Sequence, residues 1–198
     1  KKYIRKDVWS MWFKVIVACI PAVIVGLKWD DAIEEHFYNY KVVAIMLILI
    51  GILFIVAENR NKHLKPITNS LDELTFKQAF IIGLFQLMAA VFPGTSRSGS
   101  TILGALIIGV NRKTAAQFTF FMAIPVMFGA SLLKLLKYGF NFGGNELVIL
   151  LVGMIVAFIV SMFIIKLLMS YIKKHDFKVF GYYRIVLGAV VLLYFFFN

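Results

Sequence analysis

The chain has 198 residues, a formal net charge of +11, 61% hydrophobic residues and only 16% charged residues. Soluble domains are typically about 45–50% apolar and about 25% charged, so this composition excludes an ordinary soluble domain and indicates an integral membrane protein. The apolar runs are continuous, which favours spanning helices over a membrane β-barrel. Basic residues lie at the ends of these runs, which indicates cytoplasmic loops and anionic lipid headgroups rather than nucleic acid.

The apolar segments predict five membrane crossings, since a spanning helix needs roughly 20 mostly apolar residues. In chain order the predicted spans are 8–27, 42–57 (extended back through Tyr38 and Tyr40), 115–136, 147–168 and 179–197. Two shorter apolar arms, 79–92 and 102–110, lie between the second and third spans. At about 1.5 Å per residue, the first arm reaches only roughly two-thirds of the hydrocarbon core. The two arms therefore predict a re-entrant helical hairpin over 79–110.

The charged segments predict an orientation for these helices. Segments rich in Lys and Arg stay cytoplasmic, which places 1–14, 58–78, 111–114 and 170–178 inside and leaves 28–41 and 137–146 as outer loops. The alternation holds only if residues 79–110 enter and leave the bilayer on one side. Charge therefore supports the hairpin independently of length, within a single membrane domain over 1–198.

Between the two arms, residues 93–101 form the polar segment Pro-Gly-Thr-Ser-Arg-Ser-Gly-Ser-Thr. A charged side chain near the bilayer centre costs roughly 2.5–3.5 kcal/mol on insertion scales. The sequence nevertheless has no Asp or Glu between Glu73 and Glu146 that could neutralise Arg97. A bound anion could do so, because a guanidinium presents paired donors that match phosphate oxygens. The segment is therefore predicted to bind phosphate.

Other features of the segment favour an anion. Its hydroxyls donate hydrogen bonds, its glycines allow close backbone approach, and a helix expected over 100–110 would direct its positive end there. The candidate binding residues beside Arg97 are Gly94, Thr95, Ser96, Ser98, Gly99, Ser100, Thr101 and Gln86.

Structural interpretations remain open at four of these positions. Arg97 could instead pair with backbone carbonyls or with an acid on another helix. Ser98 or Ser100 could only cap a helix, and Gln86 could bond a neighbouring helix.

Hydrolysis of a phosphate needs more than this segment provides, namely a nucleophile, an acid or base and often a metal ion. The three histidines, His36, His63 and His175, are expected to be solvated loop residues. The segment therefore supplies the anion-binding half of a site, and the remaining groups are expected to come from elsewhere.

Residues 93–101 closely resemble the signature P-G-x-S-R-S-x-x-T of undecaprenyl-diphosphate phosphatases, the bacitracin-resistance family. The surrounding sequence agrees with the family's order at 74–80, 82–86, 109–112 and 123–125. The resemblance implies a multi-pass enzyme of the bacterial cell membrane with an inverted-repeat architecture and an outward-opening pocket. Its reaction would convert undecaprenyl diphosphate to undecaprenyl phosphate, which recycles the lipid carrier for cell-wall (peptidoglycan) synthesis.

The resemblance also implies roles for individual residues. Arg97 would stabilise the transferring phosphate, with Ser96 and Thr101 as hydrogen-bonding site residues. A divalent cation, Mg²⁺ or Ca²⁺, would be held by ligands that are not in this chain. The family's acidic first signature, E-x-x-x-E-F-L-P-V-S-S-x-G-H, has no match here. The chain is therefore expected to be the C-terminal larger part of the enzyme and to be inactive alone.

Two alternatives to a phosphatase remain. A transporter or flippase of a phosphorylated polyprenyl lipid would also use a hairpin with an anion site inside the membrane. A purely structural membrane fragment leaves Arg97 unexplained. The expected partners are the polyprenyl diphosphate lipid and the bilayer, and a homodimer is allowed but not required.

Overall fold

The computed structural model describes residues 6–62, 64–139, 143–172 and 174–197, without the side chains of Asp30 and Tyr138. The described residues form seven helices: α1 (Lys6–Phe37), α2 (Tyr40–Asn61), α3 (Phe76–Val91), α4 (Arg97–Ile107), α5 (Arg112–Tyr138), α6 (Gly144–Ile172) and α7 (Lys178–Phe197). By length and composition, five of them can cross a membrane, namely α1, α2, α5, α6 and α7. The predicted all-α membrane fold with five spanning helices is confirmed.

Helix α1 is longer than the predicted first span. Its backbone leaves helical geometry at Trp29 (φ −131°, ψ 15°) and then continues as helix to Phe37. The segment 28–41 is therefore largely helical, not the loop that its charges suggested. The reason lies in residues 30–37, which contain good helix formers and neither Gly nor Pro. The chain turns only before α2, where the Asn39 side chain accepts a hydrogen bond from Val42 N at 3.0 Å.

Close helix packing depends on small residues. Helices α2 and α7 approach so closely that a Cβ atom at Gly51 would lie 2.7 Å from the Gly181 carbonyl oxygen. A Cβ atom at Gly83 of α3 would collide with the Ala18 carbonyl of α1. Glycine lets these backbones meet, as is common between membrane helices. By contrast, among its described residues α6 buries only Ile172.

Helices α3 and α4 form a hairpin whose two ends are hydrogen-bonded to each other. Ile67 N donates to Gly109 O at 2.8 Å, and Asn111 N donates to Thr68 O at 2.9 Å. We call residues 64–75 and 108–112, which include the first residue of α5, the hairpin base, and residues 92–96, between α3 and α4, the hairpin tip. Both arms are short, since 16 and 11 residues correspond to about 24 and 17 Å of helix. Entry and exit of the hairpin on one bilayer face stays a prediction.

Contacts at the hairpin base bring together members of all four segments predicted to be cytoplasmic. Lys14 Nζ donates to Leu71 O and to Asp72 O, at 3.4 and 3.3 Å. The fully buried Glu58 carboxylate accepts from Arg112 Nε at 3.0 Å and from Phe177 N at 3.0 Å. One buried acid thereby joins α2, the start of α5 and the connection between α6 and α7.

Candidate phosphate-binding site

The hairpin tip has an unusual backbone that its sequence explains. Gly94 has φ +86°, and a Cβ atom there would lie 2.5 Å from the Val43 carbonyl oxygen, so glycine is required. Ser96 has φ 63° and ψ 122°, a conformation that residues other than glycine rarely adopt. Such backbone strain costs on the order of 1–3 kcal/mol and is concentrated at functional sites.

Ser96 is also the residue that begins α4. Its Oγ accepts a hydrogen bond from Gly99 N at 3.3 Å, so Ser96 is the N-cap and the helix starts at Arg97. The interpretation of Ser98 or Ser100 as the cap is wrong, because Ser96 takes that position. Ser100 Oγ instead donates to Arg97 O at 3.1 Å. The helix expected from residue 100 therefore begins three residues earlier.

Arg97 lies in the first turn of α4 with an exposed side chain. Within the described parts of the chain, its guanidinium forms no hydrogen bond and no ion pair. The contacts therefore do not support a structural arginine paired with a carboxylate or a carbonyl. The first turn of a helix also has N–H groups without helical partners and a positive dipole end. Arg97 and this helix end together favour an anion.

A cavity of about 770 Å³ opens beside this turn. Its polar lining residues are Gln86, Arg97, Ser98, Thr101, Gln117 and Thr119. Its apolar lining comes from α5 and α6, and consists of Phe120, Phe121, Ala123, Ile124, Met127, Ile165 and Met169. The cavity thus combines a cationic, hydroxyl-bearing part with an apolar part that suits an amphiphile.

The predicted site residues divide into two groups. Four of them line the cavity: Gln86, Arg97, Ser98 and Thr101. The others belong to the tip or to the first turn of α4 without lining the cavity: Gly94, Thr95, Ser96, Gly99 and Ser100. Ser96 Oγ nevertheless lies 3.4 Å from Ser98 Oγ, next to the lining. The second group shapes the backbone, and the first group faces the space that a ligand would occupy.

Thr101 has a partner that the sequence did not reveal. Its Oγ1 donates to Arg97 O at 2.9 Å and accepts from Thr119 Oγ1 of α5 at 3.0 Å. In this arrangement the Thr101 proton is already donated, so Thr101 could donate to a phosphate oxygen only by exchanging that bond. Thr119 was missed because one hydroxyl in an apolar helix carries no distinguishing signal in the sequence.

Gln86 is 3% exposed and its Nε2 atom has no hydrogen-bond acceptor in the described structure. The thiol of Cys19 lies beside it but is a weak hydrogen-bond partner. An unsatisfied buried donor costs about 1–3 kcal/mol, and this residue lines the cavity. The Nε2 atom itself is enclosed by protein, so contact of Gln86 with a ligand stays a prediction from the sequence.

Arg184 supports the hairpin tip and was also missed by sequence analysis, as was the lining residue Gln117. Arg184 lies in α7, and its guanidinium donates to Thr95 O from Nη1 and Nη2, both at 3.1 Å, and from Nη2 to Gly94 O at 3.3 Å. In the sequence, Arg184 is one basic residue near the start of the predicted span 179–197. Its position inside an apolar segment was the only signal that it has a specific partner.

Metal ligands do not come together in the described residues, where no group of three or more His, Cys, Asp and Glu is found. His36 lies in α1, with its Nδ1 atom 2.9 Å from Ala32 O, and His175 follows α6, with its Nδ1 atom 3.3 Å from Tyr171 O. His63 lies outside the described residues. These residues do not by themselves fit a divalent cation.

Comparison of the sequence with known proteins places this chain in a family. Residues 1–190 match the family described as bacitracin resistance protein BacA. The chain is 64% identical over 192 residues to the undecaprenyl-diphosphatase of Desulfitobacterium hafniense, covering 97% of this chain and 69% of that protein. It is 62% identical to undecaprenyl-diphosphatase 1 of Clostridium acetobutylicum, covering 98% and 70%, and 60% identical to an Enterococcus faecalis undecaprenyl-diphosphatase, covering 96% and 68%. The chain belongs to the bacitracin resistance protein BacA family.

Proposed function

We infer that this protein is a multi-pass enzyme of the bacterial membrane that hydrolyses undecaprenyl diphosphate to undecaprenyl phosphate and inorganic phosphate. The observation that carries the inference is Arg97 at the start of α4, which is unpaired within the described residues and lies beside a cavity with an apolar lining. A lipid diphosphate has matching parts, an anionic headgroup and a long apolar chain. Identities of 60–64% to proteins named undecaprenyl-diphosphatase support the same substrate.

The proposed contribution of Arg97 is electrostatic. In the net hydrolysis the bond from the terminal phosphorus to the bridging oxygen breaks, water supplies the added oxygen and protons, and undecaprenyl phosphate and inorganic phosphate leave. Negative charge on the equatorial and leaving oxygens must be stabilised during this step, and a preorganised arginine is suited to that. The N–H groups in the first turn of α4 supply further donors without reorganisation.

Neighbouring side chains would orient the headgroup. The Ser98 side chain lines the cavity, and its hydroxyl can donate to a phosphate oxygen. Gln86 also lines the cavity, but its Nε2 atom is enclosed by protein in the described structure. Ser96 contacts Ser98 through its hydroxyl and caps the helix. Thr101 would be held in place beside the headgroup by the hydrogen bond that it accepts from Thr119. The aromatic and aliphatic lining residues of α5 and α6 would accommodate the start of the polyprenyl chain.

Activation of water is assigned to groups other than these. The described residues around the cavity hold no carboxylate or histidine. The divalent cation, Mg²⁺ or Ca²⁺, and the homodimer both stay predictions from the sequence.

The experiment is phosphate release from a polyprenyl diphosphate by the full-length gene product that contains this chain. Arg97→Ala is expected to abolish most of the release while the protein stays folded in detergent. Transfer of the lipid between leaflets by the wild-type protein, without phosphate release, would identify a flippase instead.

A further inference from the structure

Arg184 is a charged residue inside a spanning helix that the phosphate site does not use directly. It does not line the cavity. Among the described residues, no Asp or Glu lies within ion-pair distance of its guanidinium. A guanidinium in a membrane helix needs polar partners, and here the carbonyl oxygens of Gly94 and Thr95 provide them. Arg184 is therefore committed to the hairpin tip.

The tip in turn needs a donor at this place. Gly94 and Thr95 lie between α3 and α4, where the chain is not helical and the carbonyl oxygens lack helical partners. Irregular backbone at membrane depth persists only where such groups are satisfied by protein or water. The next residue, Ser96, has the strained positive φ. The three hydrogen bonds from Arg184 thus hold the carbonyl groups of Gly94 and Thr95, directly before the strained residue Ser96.

We propose that Arg184 is a positioning residue, which binds the carbonyl oxygens of Gly94 and Thr95 and so fixes the strained turn at Ser96 that places Arg97 at the phosphate. The inference rests on the proposed function. Arg184 acts through the backbone, because its Nη1 and Nη2 atoms already donate to the tip. Charge-assisted bonds from a planar fork to two adjacent carbonyls restrict a turn more tightly than one point charge does.

The first test follows the turn itself, independently of activity. Hydrogen–deuterium exchange is measured in the full-length gene product for Arg184→Met, Arg184→Lys and the control Lys134→Met, which removes an exposed cation from α5. Exchange of peptides covering 92–100 is expected to rise about tenfold in Arg184→Met, less in Arg184→Lys, and not in the control. Peptides from the hairpin base should stay unchanged. Unchanged exchange at 92–100, or equal acceleration at the base, would overturn the proposal.

The second test is kinetic and separates positioning from substrate binding. In Arg184→Met, kcat for phosphate release is expected to fall about 10- to 100-fold, because small misplacements of catalytic groups cost that much. KM should stay within about threefold, and Arg184→Lys should recover part of kcat. A raised KM with unchanged kcat, or wild-type kinetics, would refute positioning. If the wild-type protein releases no phosphate, the proposed function fails, while the exchange experiment still decides whether Arg184 holds the turn.

Discussion

The two ends of the α3–α4 hairpin differ in how completely their polar groups are paired. At the hairpin base, Asn111 and Thr68 form backbone hydrogen bonds, and Arg112 is paired with the buried Glu58. At the tip, Ser96 is strained and the Arg97 guanidinium is unpaired within the described residues. The base gains stability from satisfied groups, whereas the tip holds groups that a bound anion would satisfy. Stability and function are therefore separated along one hairpin.

Three arginines show the same division. Arg112 is bonded to a carboxylate, Arg184 to two carbonyls, and Arg97 to no described protein group. Each occurs in the sequence as a base near an apolar run, so charge alone does not distinguish them. Partners brought by the fold decide which of them is left for substrate.

The largest effect on activity is expected at the tip. Arg97→Ala should lower kcat/KM for phosphate release by about 10³-fold, because it removes the group that stabilises transition-state charge. The melting temperature in detergent should stay close to the wild-type value, since Arg97 has no described protein partner to lose. Arg97→Lys should remain poor, because a point charge does not replace a bidentate fork. Near-wild-type release by Arg97→Ala would contradict the site.

The largest effect on stability is expected at the base. Arg112→Met leaves the buried Glu58 carboxylate without its cation, and such a loss costs about 3–5 kcal/mol. We expect a melting temperature lower by roughly 10 °C, with phosphate release per folded molecule nearly unchanged. Lys113→Met is the matched control, because it removes an exposed neighbouring charge. Lost activity at an unchanged melting temperature would break the division between base and tip.

A smaller effect should separate two buried threonines of α5. Thr119→Val removes the hydrogen bond to Thr101 at the cavity, whereas Thr114→Val removes the bond to Asn69 O at the base. Each bond is worth about 1 kcal/mol. Thr119→Val should reduce kcat/KM about fivefold with a small change in melting temperature. Thr114→Val should lower the melting temperature by a few degrees and leave kcat/KM unchanged, and a reversed pattern would refute the assignment.

The membrane topology can be tested with cysteine substitutions that are not expected to change phosphate release. Single cysteines at Asp30 and Asn61 are expected to label from opposite sides of the membrane. Cysteines at Asp72 and Lys113, before and after the hairpin, should label from the same side as position 61. The native Cys19 is buried and should give little background. Labelling of positions 72 and 113 from opposite sides would show that the hairpin spans the membrane.

Apolar run length and charge were sufficient to predict the five spanning helices and the two short arms. The same information misplaced two boundaries. Residues 28–41 were assigned to an outer loop because the apolar run ends at residue 27 and few bases follow, yet helix propensity in 30–37 continues α1. The start of α4 was placed at residue 100, because Ser96, Ser98 and Ser100 can each cap a helix and only the backbone geometry selects Ser96.

The lone arginine of residues 93–101 and the lack of a nearby acid could be read directly from the order of residues along the chain. The groups that surround this arginine depend on helix packing. Thr119 and Arg184 lie 18 and 89 residues from their partners Thr101 and Thr95. Hydrogen bonds over such separations depend on how helices pack, and side chains in an apolar helix show no pattern that identifies the partner. The site was therefore predictable as a local motif, and its support was not.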